Sequence, residues 1–426
     1  MSAKENSARF CAVELLSEIL DRKRPFDEAV ARHAGLQVLS ERDRNFARLM
    51  IMTVLRRLGQ IDALLAAMLE KPLHGKGNEV MHALRLGVAQ IIWLKTPVHA
   101  AVHAMVDTVA EFGHERMKGL VNVVLKRVAG EGESIIAQQD AALLSVPEWL
   151  FNAWSQAYGE EAAHKLALPL ESPPPLDITV KKDAEIWAEK LGGVVLPTGS
   201  VRLTQAGRVD VLAAYADGAW WVQDAAASLP AKLLGDMAGK KVLDLCAAPG
   251  GKTAQLAAAG AQVLAVDQSK RRLQLLQENM QRLKLEVEIA ESDILRWKPP
   301  FTPDAILLDA PCSATGTLRR HPEAAWHKKP EDVTELMGIQ RKMLNRVSGW
   351  LGKGGRLVYC VCSLQPEEGE RQIEHFLSTH PDFRLVPATG VPAECVNEQG
   401  MVRTLPSFWA DSGGMDGFFA ALLEKI

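Results

Sequence analysis

Cysteine is scarce in this chain, six residues in 426, which is too few for a disulfide framework at this length. Cys360 and Cys362 flank a single valine, and no second pair follows at ligand spacing. That pattern excludes a structural zinc site, and no other metal site is expected. No apolar run reaches membrane-spanning length, and the charged start Met1-Ser-Ala-Lys-Glu is no signal peptide. The expectation is a cytoplasmic protein with no membrane partner. Internal repeats and low-complexity tracts are absent too. The chain also lacks a positive excess: its net charge is −3, which on its face argues against a polyanionic partner. The distribution says otherwise. Residues 1–130 hold 19 Lys and Arg against 14 Asp and Glu, and the remainder holds 30 against 38. A hydrophobic fraction of 47% and a charged fraction of 24% are those of a soluble globular protein, long enough for two to four domains.

What is present is organised around Lys241-Val-Leu-Asp-Leu-Cys-Ala-Ala-Pro-Gly-Gly-Lys-Thr253. Val242, Leu243 and Leu245 suit a buried strand. Cys246, Ala247, Ala248, Pro249, Gly250 and Gly251 then remove every large side chain, and helical spacing resumes at Thr253. A strand, a small-residue turn and a helix suggest a nucleotide-type site at a helix N-terminus. A phosphate-cradling loop would need Gly at position 246, where Cys stands. The Gly-x-Gly-x-x-Gly turn of dinucleotide enzymes is missing as well. An adenosyl pocket with no phosphate to bind remains, beside a plain tight turn without ligand.

The residues downstream favour the pocket. Residues 262–267 read as a second strand ending in Asp267, where a carboxylate can accept from both ribose hydroxyls. Residues 286–293 read as a third, ending in Asp293. Residues 304–309 read as a fourth, ending in Asp309 and running into Ala310-Pro-Cys312-Ser-Ala-Thr-Gly316. Residues 355–363 read as a fifth and carry Cys360 and Cys362. One such Asp is more often a cap or turn residue. Three at strand ends are what an open α/β sheet supplies at its functional edge.

At these residues the chain resembles the S-adenosylmethionine-dependent RNA cytosine carbon-5 methyltransferases. The matching pieces are Ala247-Ala-Pro-Gly-Gly-Lys252, Asp309-Ala-Pro-Cys312-Ser-Ala-Thr-Gly316, Val361-Cys362-Ser363-x-x-Pro366-Glu367-Glu368 and Asp416-Gly417-Phe418-Phe419. The likeness spans residues 145–426. Two departures, Ala314 where many members have Gly and Val361 where many have Thr, are small. The resemblance implies S-adenosylmethionine as cofactor, held by residues 246–252 with Asp267, Asp293 and Asp309. It implies Cys362 as nucleophile and Cys312 as the thiol that assists release. Asp309 is a candidate partner for ring nitrogen 3. Lys252 either steers the cofactor's carboxylate or the RNA, or is a surface charge at a helix terminus. Cys246 is expected to contribute backbone, and Cys11, Cys360 and Cys395 to be buried small hydrophobes. Carbon 5 of cytosine is a poor nucleophile, and a thiolate adding at carbon 6 makes it able to attack a methyl sulfonium.

Residues 1–130 read as helical. Phe46, Leu49, Met50, Val54, Leu58 and Ile61 recur at helical steps, as do Val80 to Ile92 and Val102 to Phe112. These stripes are core. Pro25, Pro72 and Pro97 punctuate them. Pro97-Val-His-Ala-Ala-Val-His-Ala-Met-Val106 and Leu120-Val-Asn-Val-Val-Leu-Lys-Arg127 resemble the NusB-like RNA-binding domain. That domain implies the RsmB type of bacterial methyltransferase, acting on small-subunit ribosomal RNA, free or in an early assembly particle, as a monomer.

The expected architecture is multidomain: a helical NusB-like domain over 1–133, a mixed α/β bridging segment that grips RNA over 134–225, and a Rossmann-like methyltransferase domain over 226–426. Residues 130–134, Gly-Glu-Gly-Glu-Ser, read as the linker. In the bridge, Ser172-Pro-Pro-Pro175 forces an extended stretch, 177–180 reads as a strand, and 183–191 and 225–234 read as helices. Basic clusters at Arg22-Lys-Arg24, Arg42, Arg44, Arg48 and Arg56-Arg57 suit RNA. A second group, Arg319-Arg320-His321 with His327-Lys-Lys329, is expected to flank the active site. Two other function classes compete: a nicotinamide-dependent oxidoreductase, and an RNA-binding or antitermination factor without catalysis.

Overall fold

The structure, a computed structural model, describes residues 7–71, 73, 78–204 and 207–426. The charged start and Pro72 lie outside the described residues. The chain forms two compact units, residues 1–172 with 318–328, and residues 173–317 with 329–426.

The first unit is helical. Helices Ala8–Leu16, Glu41–Arg56, Leu58–Met68, Asn78–Ile92, Val98–Glu111 and Lys118–Ile136 bury their apolar stripes in one core. Ser40 caps its helix by accepting the Asp43 N–H, and Pro25 and Pro97 stand just before helices. The stripe from Phe46 to Ile61 is broken at Arg57, whose φ of −111° ends one helix before the next begins at Leu58. Met50, Val54 and Ile61 are buried as expected, but Leu49 is 52% exposed. It lies one residue, about 100° of helix, from the buried Met50.

The proposed linker is no linker. Residues 130–134 continue the helix Lys118–Ile136. Its glycine at 132 is there for close packing, since a Cβ would lie 2.9 Å from Ile92 Cδ1. The helices Glu148–Tyr158 and Glu160–Ala167 also pack in this unit, so its boundary falls at 172/173.

The basic clusters are partly structural. Arg56 is buried and donates to the Leu170 and Ser172 carbonyls, at 3.0 and 3.2 Å. Burial, with Arg319 nearby, pushes it down to about 10. Arg57 pairs with Glu171 at 2.6 Å, and Arg22 and Arg24 both engage Glu18. The group after Cys312 departs further from expectation. Leu318–Lys328 packs into the helical unit. Arg319 is 2% exposed, and His327 Nε2 lies 2.7 Å from the Ile19 carbonyl, its ring held below its ordinary range by burial. Glu323 accepts the Phe26 N–H at 3.1 Å. Part of this charge run is therefore buried packing, not an exposed flank of the active site.

The second unit carries two sheets. Strands β1 (Leu176–Val180), β2 (Gly193–Val195), β3 (Val201–Leu203) and β4 (Trp220–Val222) form an antiparallel sheet in the order β2-β3-β1-β4. Asp177 and Arg202 make a buried two-bond ion pair across it, both at 2.7 Å. The run 225–234 is a 3-10 turn Ala226–Ser228 followed by a short helix Leu229–Leu233. Pro230, lacking an N–H, fits only the first turn of that helix.

The large sheet comprises β5 (Lys241–Leu245), β6 (Gln262–Asp267), β7 (Glu288–Glu291), β8 (Ala305–Asp309), β9 (Arg356–Val361), β10 (Phe383–Val386), β11 (Val402–Thr404) and β12 (Phe418–Lys425). Its order is β10-β12-β9-β8-β5-β6-β7, with β11 beside β12. Strands β5 to β9 are parallel, and β12 runs antiparallel to β9. The central parallel strands β5, β6, β8 and β9 are buried, which is why they read as continuous apolar runs, whereas the edge strand β7 is mostly exposed. The strand order reverses at β5, between β8 and β6, and that makes the carboxyl ends of these three strands the natural crevice.

Candidate active site at the carboxyl ends of the parallel strands

The turn after β5 is shaped by backbone. Cys246 and Gly250 take left-handed φ values of 58° and 102°, turning the chain into helix Gly251–Ala258. The Ala247 N–H donates to the Val266 carbonyl at 3.1 Å, which ties the turn to β6. Asp267, last residue of β6, is 2% exposed. Its oxygens accept the Ala248 N–H at 3.2 Å and the Ser269 N–H at 2.9 Å, and Arg272 lies 3.4 Å away. Arg272 also donates to the Ala248 carbonyl, and Asn279 to that of Pro249 at 3.1 Å. Asp293 stands two residues beyond β7, accepts the Leu295 N–H at 2.9 Å, and is partly exposed. Asp309 closes β8.

Lys252 is no surface charge. Its amine lies 2.9 Å from Asp309 Oδ2 and 4.9 Å from the Phe418 ring centre, with little exposure. Burial alone would lower it, but Asp309 and neighbouring groups outweigh burial and hold it above the ordinary lysine range. Beneath it lies a residue that pattern reading passed over. Asp244 is fully buried, and the Thr253 hydroxyl donates to its Oδ2 at 2.5 Å. Its Oδ1 is buried without a hydrogen-bond partner. Burial pushes this carboxyl up to about 7, although Thr253 and Lys252 pull the other way. It reads in sequence as one more strand residue, and only its period, polar among apolar neighbours, marks it.

The two cysteines meet. Cys312 Sγ and Cys362 Sγ are 3.5 Å apart on neighbouring loops, and both are partly exposed. The Gly316 N–H donates to the Cys362 carbonyl at 3.0 Å, and the Gly417 N–H to Gly316 O at 2.8 Å. A Cβ on Gly316 would sit 1.9 Å from that Gly417 carbonyl, so glycine is required there. Ala314 holds φ 58°, where a glycine would avoid a strain of about 1 kcal/mol. Val361 is buried, where a threonine hydroxyl would need a partner. Cys360 is buried with its sulfur 3.6 Å from Asp309 Oδ1, and Cys11 and Cys395 are buried, as expected of small hydrophobes.

The cofactor that these acceptors fit can be read from their chemistry. Asp267, Asp293 and Asp309 line the carboxyl edge of the sheet as acceptors, beside a turn without the glycine pattern that cradles phosphate. S-adenosylmethionine offers ribose hydroxyls, an exocyclic amine and an ammonium, all donors. The fold and this donor–acceptor match fit one class, a Rossmann-like methyltransferase with S-adenosylmethionine as methyl donor.

Comparison with known proteins agrees. Residues 231–424 match the family described as 16S rRNA methyltransferase RsmB/F, and residues 6–130 match the NusB family. Ribosomal RNA small subunit methyltransferase B of Klebsiella pneumoniae is 34% identical over 406 residues, covering 91% of this chain and 92% of that protein. Its counterpart in Vibrio cholerae is 33% identical over 437 residues, covering 98% of each. A crystal structure of PH0851 shares the fold over 100% of this chain and 99% of its own, at TM-score 0.77 and 23% identity. A methyltransferase homolog protein from Pyrococcus horikoshii is 27% identical at TM-score 0.57, covering 67% of this chain and 98% of its own. The chain belongs to the RsmB/F family of RNA methyltransferases. The oxidoreductase and the non-catalytic factor are thereby set aside.

Asp267 gives the first test. Asp267→Ala removes the acceptor nearest the turn and should weaken S-adenosylmethionine binding by roughly 1.5–3 kcal/mol, ten- to more than a hundredfold in Kd. Calorimetric titration measures it. An unchanged affinity would remove Asp267 from the cofactor site.

Proposed function

We propose that this protein methylates carbon 5 of a cytidine in small-subunit ribosomal RNA through a transient bond between Cys362 and carbon 6. The observation that supports this best is the pair of sulfurs at 3.5 Å beside a carboxylate-lined turn. The Cys362 thiolate adds to carbon 6, and the ring's electron pair moves toward carbon 5. Ring nitrogen 3 takes a proton from water on attack and returns it when the aromatic ring is restored, and Asp309 Oδ1, the oxygen not facing Lys252, accepts the hydrogen bond from it in between. S-adenosylmethionine, held by residues 246–252 with Asp267, Asp293 and Asp309, supplies the methyl group. The carbon-5 proton then passes to water, the carbon–sulfur bond breaks, and the thiolate leaves with Cys312 assisting.

The target base must be swung out of its stack to reach this edge, which favours single-stranded or loop RNA. The helical NusB-like unit adds phosphate contacts, and residues 134–225 help to grip the RNA. No described helix is long and apolar enough to cross a membrane. We place the protein in the cytoplasm as a monomer, acting on free RNA or an early assembly particle. Bisulfite mapping of ribosomal RNA with and without the protein tests the reading. One cytidine should lose its 5-methyl mark when the protein is absent. Transfer to a ring nitrogen or to ribose would overturn it.

A further inference from the structure

Glu368 is fully buried behind the two cysteine loops, and both of its carboxylate oxygens accept hydrogen bonds there. Its Oε1 accepts the Ser313 N–H at 2.9 Å and the Gln340 amide at 3.0 Å. Its Oε2 takes the Ser363 hydroxyl at 2.5 Å and the Ser313 hydroxyl. Four donors thus converge on its two oxygens. The donors come from both cysteine loops, since Ser313 follows Cys312 and Ser363 follows Cys362. The backbone carbonyl of Glu368 is itself fixed by the Tyr359 hydroxyl at 2.7 Å, and Gln340 also donates to the Pro311 carbonyl at 2.9 Å. Arg403 reaches the Ser363 carbonyl at 2.6 Å, but its charge is matched by Glu370, also at 2.6 Å.

We propose that Glu368 is the positioning residue of the two-cysteine centre: it laces the two loops together, and its charge keeps the proton that the thiols share on Cys312, leaving Cys362 as the attacking sulfur. The inference rests on the reading that Cys362 attacks carbon 6. The titratable groups facing Cys312 are Cys362, Glu368 and Tyr359. The hydrogen bond to Cys362, burial, and the charges of Cys362 and Glu368 raise the Cys312 thiol well above its ordinary range, against a smaller opposing pull from the Ala314 backbone. The arrangement serves release as well. When the carbon–sulfur bond breaks, the Cys312 S–H donates to the departing Cys362 sulfur, while the carbon-5 proton goes to water.

Alkylation by iodoacetamide, followed by peptide mass spectrometry, reads which sulfur is the thiolate. In the wild type Cys362 should react faster than Cys312. Glu368→Gln keeps the length and an acceptor oxygen but removes the charge, and the Cys362-to-Cys312 rate ratio should fall about tenfold. Glu368→Asp should restore the preference. An unchanged ratio in a Glu368→Gln protein that still binds S-adenosylmethionine normally would overturn the proposal. Should Glu368→Gln not fold, the wild-type pH profile decides: Cys312 becoming reactive at lower pH than Cys362 overturns it. Full turnover by Cys362→Ala would instead sink the reading of the centre itself, whatever the ratio.

Discussion

Cys362→Ala is expected to yield neither methylated RNA nor a covalent adduct, whereas Cys312→Ala should accumulate as a protein–RNA conjugate. The sulfurs touch at 3.5 Å, so position alone does not separate them. Timing does. In the proposed mechanism Cys362 forms the bond to carbon 6, and without it that sequence of steps cannot begin. Turnover should fall by roughly 10⁴-fold or more, the scale on which covalent enzymes lose a nucleophile. In the same mechanism Cys312 acts at release, where a lost acid–base partner costs on the order of 10²–10⁴-fold. Attack and methylation would still proceed, so the enzyme would stall on its product. Denaturing gel electrophoresis with labelled RNA separates the cases, because only covalent complexes survive it. An adduct from Cys362→Ala and none from Cys312→Ala would reverse the roles. Normal turnover in both would leave the thiols as ordinary packing residues.

How much of this was legible in the sequence depends on how local the signal was. β6 spans residues 262–267 as expected, because an unbroken apolar run and a terminal Asp define it without tertiary help. The turn at 246–251 was legible because small residues have few other reasons to cluster. The third strand came out shorter, Glu288–Glu291, since a charged edge strand carries a weak pattern. Residues 130–134 misled because Gly and Ser signal linkers when read alone. Only the neighbouring helix at Ile92 explains that glycine. The same limit hid the basic run after Cys312: buried and exposed arginines look alike in sequence, and Arg319 and His327 turn out to be packing residues. Glu368 could be quoted as part of a motif, but its partner Gln340 sits mid-helix with no local mark. Buried polar networks are made of long-range contacts, and a linear pattern does not carry them.

Asp244 was hidden for that reason too, and it makes a prediction about pH. Its carboxyl is raised from 3.8 to about 7 by complete burial. A raised folded-state value means that the native protein keeps a proton which the unfolded chain has already released. Between the two values the native state therefore binds more protons, and stability falls as pH rises. About three units correspond to roughly 4 kcal/mol lost between about pH 4 and pH 7, with no further change above. Asp244→Asn cannot titrate and should lack this component. The other carboxylates titrate equally in both proteins, so the quantity to follow is the difference in unfolding free energy between them. Urea melts at pH 4.5, 6 and 8 would give it. The variant's extra amide hydrogen faces the position where Oδ1 has no partner, at a cost of about 1–3 kcal/mol that does not vary with pH. Near pH 4.5 the wild type should thus be the more stable protein, and by pH 8 the order should be equal or inverted. A difference that stays constant from pH 4.5 to 8 would mean that Asp244 ionises normally in the folded chain, and that the site holds a charged carboxylate directly behind the cofactor turn.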